Sequence, residues 1–293
     1  MIESNLNLFK KDVYSQFGED GIIEELINRL GKKKNFQCCE FGAWDGEFLS
    51  NTCNLIRNKN YKAILIEPDK KKFRELNNNF KDNSIIKINS FVEVEGKNSL
   101  DNILKTYKFD KNFDFLSIDV DGNDYHLFDS LKIYTPKIIC IEFNPSIPNE
   151  VEFFQINNVK LNQGSSILSL ANLAKTKGYS PVAATYTNLF LINNNYLNLI
   201  VEKKNLSVSD IRDDSHARNF IFFGYDGEIF TSRSIYLPWH GISLKKIRFL
   251  PQILNKYPPN YNYFQIVFFL LFKIMINPFK YLKKIIKIFK NKK

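Results

Sequence analysis

The sequence predicts an α/β fold of Rossmann-like type: a largely parallel sheet with helices on both faces, followed by a basic helical tail. Two observations predict it. From about residue 20 to residue 193, short apolar runs alternate with stretches of helical period, which is the pattern of a parallel sheet covered on both sides. The apolar runs also end in acids and glycines: Glu40 with Gly42, Glu67, Asp119 with Asp121, and Glu142 with Asn144. Ligands of open α/β sheets bind outside the carboxyl ends of the strands, so these repeated endings point to one shared site.

The elements follow in order. Asp20 is placed to cap a helix whose Ile22, Ile23, Leu26, Ile27 and Leu30 recur at helical spacing, and Gly31 ends it. Residues 36–41 form a first strand before a glycine-containing turn, and 49–58 suit a helix. A second strand over 63–67 leads into an amphipathic helix over 69–80. Residues 85–88 are a third strand, and 99–107 a helix capped by Ser99. Residues 113–119 are a fourth strand and 124–131 a helix that Asp124 caps. Residues 137–143 are a fifth strand, and the helix over 166–177 stops at Gly178. Residues 179–186 and 189–192 read as a closing strand pair. Within 194–262, an accessory segment, one hairpin is predicted, 220–223 with 229–231 around Asp226-Gly227.

At 293 residues the chain accommodates one large domain, or a domain with an appendage. Hydrophobic residues at 44% supply a sizeable core. The net charge of +10 is uneven: residues 245–293 hold twelve Lys or Arg and no acid, whereas the first 244 residues are near balance. The basic character therefore belongs to the tail. Cys38, Cys39, Cys53 and Cys140 form no C-x-x-C pair and sit largely in apolar runs, as expected of reduced structural thiols in the cytoplasm. The first residues lack the apolar core of a signal peptide.

Three segments carry chemistry. In Cys39-Glu40-Phe41-Gly42-Ala43-Trp44-Asp45-Gly46, Gly42 and Gly46 would let the backbone turn tightly and approach a ligand, and Glu40 would meet a cationic or hydroxyl-bearing group. The spacing is E-x-G-x-x-x-G, not the G-x-G-x-x-G of dinucleotide sites. Glu67 ends the second strand 21 residues after Gly46, near the roughly 20 expected of an acid that accepts hydrogen bonds from ribose hydroxyls. Asp119 and Asp121 flank the turn after the fourth strand, where they could hold a cation, act as general base or orient a ligand. Glu142 and Asn144 on the neighbouring strand would join Asp119 around Mg²⁺, which favours such oxygens. His126 lies just after the Asp cluster and is a candidate base; His216 and His240 are the other histidines. Each of these residues also has a plainer reading as a helix cap, a packed side chain or a hydrated rim. The segment 14–20 before the first helix would fold over a ligand or merely cap that helix.

Taken together, YSQFGEDG (14–21), EFGAWDG (40–46), ILIEPD (64–69), IDVDGNDY (118–125) and IEFNP (141–145) resemble the FkbM-type class I methyltransferases, over about residues 13–193. The resemblance implies a seven-stranded class I methyltransferase sheet with one antiparallel strand. It implies S-adenosylmethionine contacts from Glu40, Gly42 and Gly46, Glu67 on the ribose, and Ser90 and Phe91 beside adenine. It implies methylation of a sugar hydroxyl in a glycan or lipid-linked saccharide, as many relatives perform. The residues' own positions make Asp119, Asp121 and His126 the catalytic candidates. Where relatives often show Asp-x-Glu-Gly, this chain has Asp119-Val120-Asp121-Gly122, which shortens one carboxylate. Two rivals stay open: another Rossmann-fold enzyme using NAD or a nucleotide sugar, and a non-catalytic scaffold.

The tail, 263–293, opens with an apolar stretch too short to span a bilayer core, which needs roughly 20 residues. Beyond Pro278, Phe279, Leu282, Ile285, Ile286 and Phe289 share a helical face, with lysines around the other. That is the pattern of an interfacial helix on an anionic membrane, on the inner face for a cytoplasmic protein, or else of a helix packed on the domain or on a second subunit. Nucleic acid would not require so large an apolar face.

Overall fold

A computed structural model describes residues 5–202, 206–237 and 240–279. The chain divides into two compact units, Met1–Ala217 and Arg218–Lys293.

The first unit is built on seven strands: β1 (Gln37–Phe41), β2 (Lys62–Ile66), β3 (Ile85–Ile88), β4 (Phe115–Ile118), β5 (Ile138–Glu142), β6 (Tyr179–Ala184) and β7 (Asn188–Asn193). They lie in the order β3-β2-β1-β4-β5-β7-β6. The first five pair in parallel, and β7 is antiparallel to both of its neighbours. This is the expected Rossmann-like sheet with a single reversed strand. The switch point falls at β1, where the chain turns from building one side to building the other, and the crevice there is where ligands dock.

The helices are α1 (Glu19–Leu30), α2 (Cys53–Lys59), α3 (Lys70–Asn79), α4 (Leu100–Thr106), α5 (Asp124–Ser130), α6 (Ile167–Thr176), α7 (Leu197–Ile200) and α8 (Val208–Ile211). The pleat sends alternate side chains to opposite faces, so each strand feeds two cores. Cys39, Phe41, Ile64, Ile66, Leu116 and Ile139 join one core with α4, α5, α6 and α8. Cys38, Ala63, Leu65, Phe115 and Cys140 join the other with α1, α2, α3 and α7. A strand buried on both faces cannot alternate polar and apolar residues, which is why these strands read as continuous apolar runs. All four cysteines are free and buried, and burial pushes the thiols of Cys38, Cys39, Cys53 and Cys140 upward. They pack as small hydrophobes.

The starts of α1 and α2 differ from expectation. The cap of α1 is Gly18, at φ +95°, and not Asp20. Asp20 Oδ2 instead accepts the backbone N–H groups of Val13, Tyr14 and Ser15, which folds the chain back before the helix. Helix α2 begins at Cys53, four residues later than the apolar pattern indicates, because residues 50–52 are bound elsewhere, to Glu40. Asp69 and Ser166, read from the sequence as helix residues, stand as the caps of α3 and α6 and accept from Lys71 and Lys72, and from Ser169; Ser99 stands at the predicted cap position of α4 without a side-chain cap bond.

The second unit contains an antiparallel sheet of β8 (Ile221–Phe223), β9 (Ile229–Leu237) and β10 (Ile242–Ile247) in the order β10-β9-β8, then α9 (Tyr263–Ile276). The predicted hairpin is its β8–β9 pair; β10 is an additional strand. The expected amphipathic helix beyond Phe279 lies outside the described residues.

Candidate active site

The carboxyl ends of β1, β2, β4 and β5 bring the predicted acids to one edge of the sheet. Each is held differently. Glu40 is 4% exposed. Its Oε2 accepts the hydroxyls of Ser50 and Thr52, at 2.7 and 2.6 Å, and its Oε1 accepts the Asn51 N–H at 2.9 Å. Burial raises its pKa and these donors oppose the rise. Glu40 therefore ties the loop before α2 to the end of β1. A direct grip on a ligand, as the sequence suggested, would have to share oxygens already bonded.

Glu67 is equally buried, at 4% exposure. It accepts one backbone N–H on each oxygen, from Trp44 at 2.9 Å and Asp69 at 2.7 Å. A carboxylate oxygen takes two donors, so each retains a place for a hydroxyl. The turn it organises is tight. The N–H groups of Gly42 and Ala43 both donate to the Ile66 carbonyl at 3.1 Å, and Gly42 and Gly46 adopt φ +80°. The reason for glycine is local. A Cβ on Gly42 would lie 1.7 Å from the Asp119 carbonyl oxygen, and one on Gly46 would meet Phe80 and Leu76 at about 2.5 Å. The close approach that the glycines permit is to the protein's own β4 end and α3. Beside this turn, Trp44 is half-exposed with the Lys72 ammonium 3.5 Å from its ring centroid. Phe91, after β3, is 66% exposed, and the Ser90 hydroxyl donates to the Phe91 carbonyl.

The loop after β4 is wound around Asp124. This side chain does not cap α5, whose cap is Asn123. It accepts from the N–H groups of Val120 and Gly122 at 2.9 Å each. The winding puts Asp121 at φ +56° and gathers Asp119, Asp121 and Glu142, whose carboxylate oxygens lie within 4.8 Å of one another. No cation among the described side chains pairs with this cluster. Burial, then the charges of Asp124 and Asp121, push Asp119 up to about 8. Burial and the charge of Asp119 push Glu142 up as well, and burial lifts Asp124 to about 6.

Asn144, the third ligand read from the sequence, is bonded to its own loop. Its Oδ1 accepts from the Ser146 N–H and hydroxyl and its Nδ2 donates to the Gln163 carbonyl, so the amide is spent on its own loop. His126 is also committed: its Nε2 meets the Gln155 carbonyl at 2.7 Å, and the ring packs against Tyr125 and Phe154. Acting as base through Nε2 would require breaking that bond.

Several organising residues carry no sequence signal. Gln155 accepts from the N–H groups of Gln163 and Gly164 and donates to the Leu161 carbonyl, shaping the loop beside Gly122. Glu19, fully buried, accepts from the Phe17 N–H, the Thr185 hydroxyl and the Asn188 amide. Asn188 is the β7 partner of Glu142, so Glu19 fixes segment 14–20 to the sheet edge beside the acidic cluster. There Phe17 packs on Tyr186, and Tyr186 on His216. Only their partners far along the chain reveal these roles.

Residues 90–180 match the family described as Methyltransferase FkbM domain. The matched stretch runs from the end of β3 into β6 and contains the whole acidic cluster. No curated protein matches the chain. Among solved structures, the chain is similar to the citrinin polyketide synthase CMeT domain at 12% identity, covering 60% of this chain and 51% of that one, with a TM-score of 0.41. It is similar to TrmK of M. capricolum, in complex with S-adenosyl-homocysteine, at 15% identity, 58% and 67% coverage and a TM-score of 0.35. It is similar to an O-methyltransferase from Bacillus cereus, also with S-adenosyl-homocysteine, at 16% identity, 57% and 79% coverage and a TM-score of 0.36. The chain spans about half the length of the first of these. Likeness this low does not bear on substrate. The family match falls on β4 and β5 and on the loops after them, which carry Asp119, Asp121 and Glu142: over residues 90–180 the chain is similar to the methyltransferase FkbM domain.

Proposed function

We propose that the first unit transfers a methyl group from S-adenosylmethionine to a hydroxyl of a sugar, in a glycan or lipid-linked saccharide. One observation carries this reading: the unneutralised cluster of Asp119, Asp121 and Glu142 at the carboxyl edge of a sheet ordered β3-β2-β1-β4-β5-β7-β6. Like charges this close raise one another's pKa, and a cation docked among them removes that penalty. S-adenosylmethionine brings a sulfonium and an ammonium, and when bound it supplies an activated methyl group. The residues present fit it. Glu67 has one acceptor place left on each oxygen for the ribose hydroxyls. Trp44, with Lys72 over one face, and the exposed Phe91 are aromatic side chains at the ends of the neighbouring loops.

The chain's own part is positioning and proton transfer. The carboxylates orient the acceptor hydroxyl toward the methyl group. Asp119, ionised once a cation sits beside it, is placed to accept the hydroxyl proton, with Asp121 at its side. His126 orients the loop through Gln155 more directly than it could act as base. The sugar as acceptor is supported by the resemblance to FkbM-type enzymes, many of which methylate sugar hydroxyls.

Calorimetry with S-adenosylmethionine, S-adenosylhomocysteine and NAD tests the reading. Binding of the first two and not the third is expected, with Glu67→Ala weakening it by at least about tenfold, the value of one lost charge-assisted hydrogen bond. Labelled methyl should reach cell glycans with wild type and not with this variant. NAD binding alone would refute the proposal.

The same three carboxylates favour a second ligand. An all-oxygen donor set suits Mg²⁺, which Asp119, Asp121 and Glu142 would hold and which would lower the acceptor's pKa. Chelation by EDTA should then reduce transfer at least several-fold, with recovery on added Mg²⁺; full activity in EDTA removes the metal and leaves the sulfonium reading intact.

A further inference from the structure

We infer that α9 is a lipid-binding element, seated in the interface of an anionic bilayer. The inference does not depend on the methyl-transfer reading.

The distribution of exposure around α9 comes first. Its less exposed residues are Gln265, Phe268, Phe269, Phe272 and Lys273, which recur at three- and four-residue intervals along one stripe. That stripe faces its own unit: the Gln265 amide donates to the Ile253 carbonyl, and Tyr261 packs edge-on against Phe269. The one charge in the helix, Lys273, lies on this stripe with its ammonium 4.0 Å from the Phe269 centroid. Everything turned the other way is apolar and uncovered. Phe264 is 65% exposed, Leu271 60% and Met275 68%, and Ile266, Leu270 and Ile274 lie between them. Soluble surfaces interrupt apolar area with charge; a contiguous patch of this kind marks a docking face.

The chain that follows identifies the occupant. Residues 277–293 hold seven lysines and no acid. An apolar face beside a dense positive charge complements an anionic bilayer, whose interior takes the one and whose headgroups take the other. A protein-docking surface would carry a polar rim around its apolar centre, and the outward face of α9 has none. A coiled coil with a second copy needs a narrow seam with charges flanking it, and here the apolar face is broad. The helix cannot cross a membrane. Its 14 residues span about 21 Å against a hydrocarbon core of roughly 30 Å, and no helix among the described residues is long and apolar enough to do so. It would lie along the surface, dipping its outer face below the headgroups.

The experiment uses the full chain and sedimentation with vesicles of phosphatidylcholine, alone or mixed with phosphatidylglycerol. Wild type should bind the mixed vesicles and not the neutral ones, and raised salt should weaken binding steeply. Replacing Lys280, Lys283, Lys284 and Lys287 by Gln should cost roughly fivefold per lysine. Leu270→Glu with Leu271→Glu should abolish binding. Both positions are exposed, so circular dichroism should stay as in wild type. A conservative variant guards against misfolding: Phe264→Trp keeps the apolar face, and its added fluorescence should shift to the blue and be quenched by brominated acyl chains in anionic vesicles only. Equal binding to neutral vesicles overturns the charge argument. An unquenched tryptophan, or concentration-dependent dimerisation through α9 with no vesicle binding, overturns the inference as a whole.

Discussion

At the scale of single residues the site is governed by carboxylates, and the sign of their titration can be worked out. Burial and two neighbouring acids hold Asp119 up to about 8, against about 3.9 for an aspartate in an unfolded chain. The folded protein thus retains a proton that the unfolded chain gives up. The stabilisation from that proton is fully present below pH 4, declines as pH rises, and is gone once pH passes about 8. Asp124 and Glu142 shift in the same direction, so the cluster titrates as a set. Ligand-free protein should therefore lose at least about 3 °C in melting temperature between pH 5 and pH 8.5, while its affinity for S-adenosylmethionine rises over the same interval. Asp119→Asn should flatten both curves. Parallel pH slopes in wild type and variant would show that Asp119 is not the group responsible. The acids themselves were legible in the sequence because they terminate apolar runs. Which of them are spent on structure was not. Glu40 is committed to residues 50–52 and Asn144 to Ser146 and Gln163, and such bonds leave no trace in composition or period. Gly42 was legible as a glycine requirement, but its cause, the Asp119 carbonyl 77 positions later, was not.

At the scale of elements, the strands of the first unit were legible because both of their faces are buried, and helices of period 3.6 separate them. The displaced start of α2 and the carboxylate-pinned segment before α1 were not, since each depends on a partner distant in sequence. The same applies to β10: Ile242–Ile247 carries two lysines in six residues, and its partner β9 is what makes it a strand. The opposite end of the sheet from the site shows how much one such bond carries. Asp114, fully buried just before β4, accepts the Lys137 ammonium at 2.5 Å, the Tyr61 hydroxyl at 3.0 Å and the N–H groups of Asn35 and Phe36. It therefore joins the starts of β1, β2, β4 and β5. Removing one member of a buried charge pair leaves the other unneutralised, at about 3–5 kcal/mol. Asp114→Asn should lower unfolding stability by that amount in urea titrations and, at temperatures where it stays folded, leave S-adenosylmethionine affinity unchanged. A loss under about 1 kcal/mol would mean that water reaches Lys137 and that the strand starts are held by packing alone.

At the scale of the whole molecule the question is where the unit that bears the acidic edge ends. Sequence periodicity fades after residue 193, yet the first compact unit continues to Ala217. Residues 194–217 complete its cores. Leu197, Ile200 and Val201 pack with α1, and Val208 and Ile211 with α6 on the other face. Polar ties reinforce the packing: Arg29 donates to the Ile200 carbonyl, Asn7 to the Ile211 carbonyl, and the Arg212 guanidinium to the carbonyls of Pro145 and Ile147. Arg212 thereby props the loop that follows β5, beside the acidic cluster. Five buried aliphatic side chains at roughly 1.5–3 kcal/mol each are comparable with the entire stability of an ordinary domain, about 5–15 kcal/mol. A chain ending at Ala217 should then unfold cooperatively and bind S-adenosylmethionine as tightly as the full protein, because it keeps every residue of the acidic edge. A chain ending at residue 193 should be insoluble or unfolded. Thermal denaturation and calorimetry on the two would decide the matter. If the shorter chain proves as stable as the longer, residues 194–217 are an accessory; if the longer loses affinity, Arg218 and the residues after it contribute to the site.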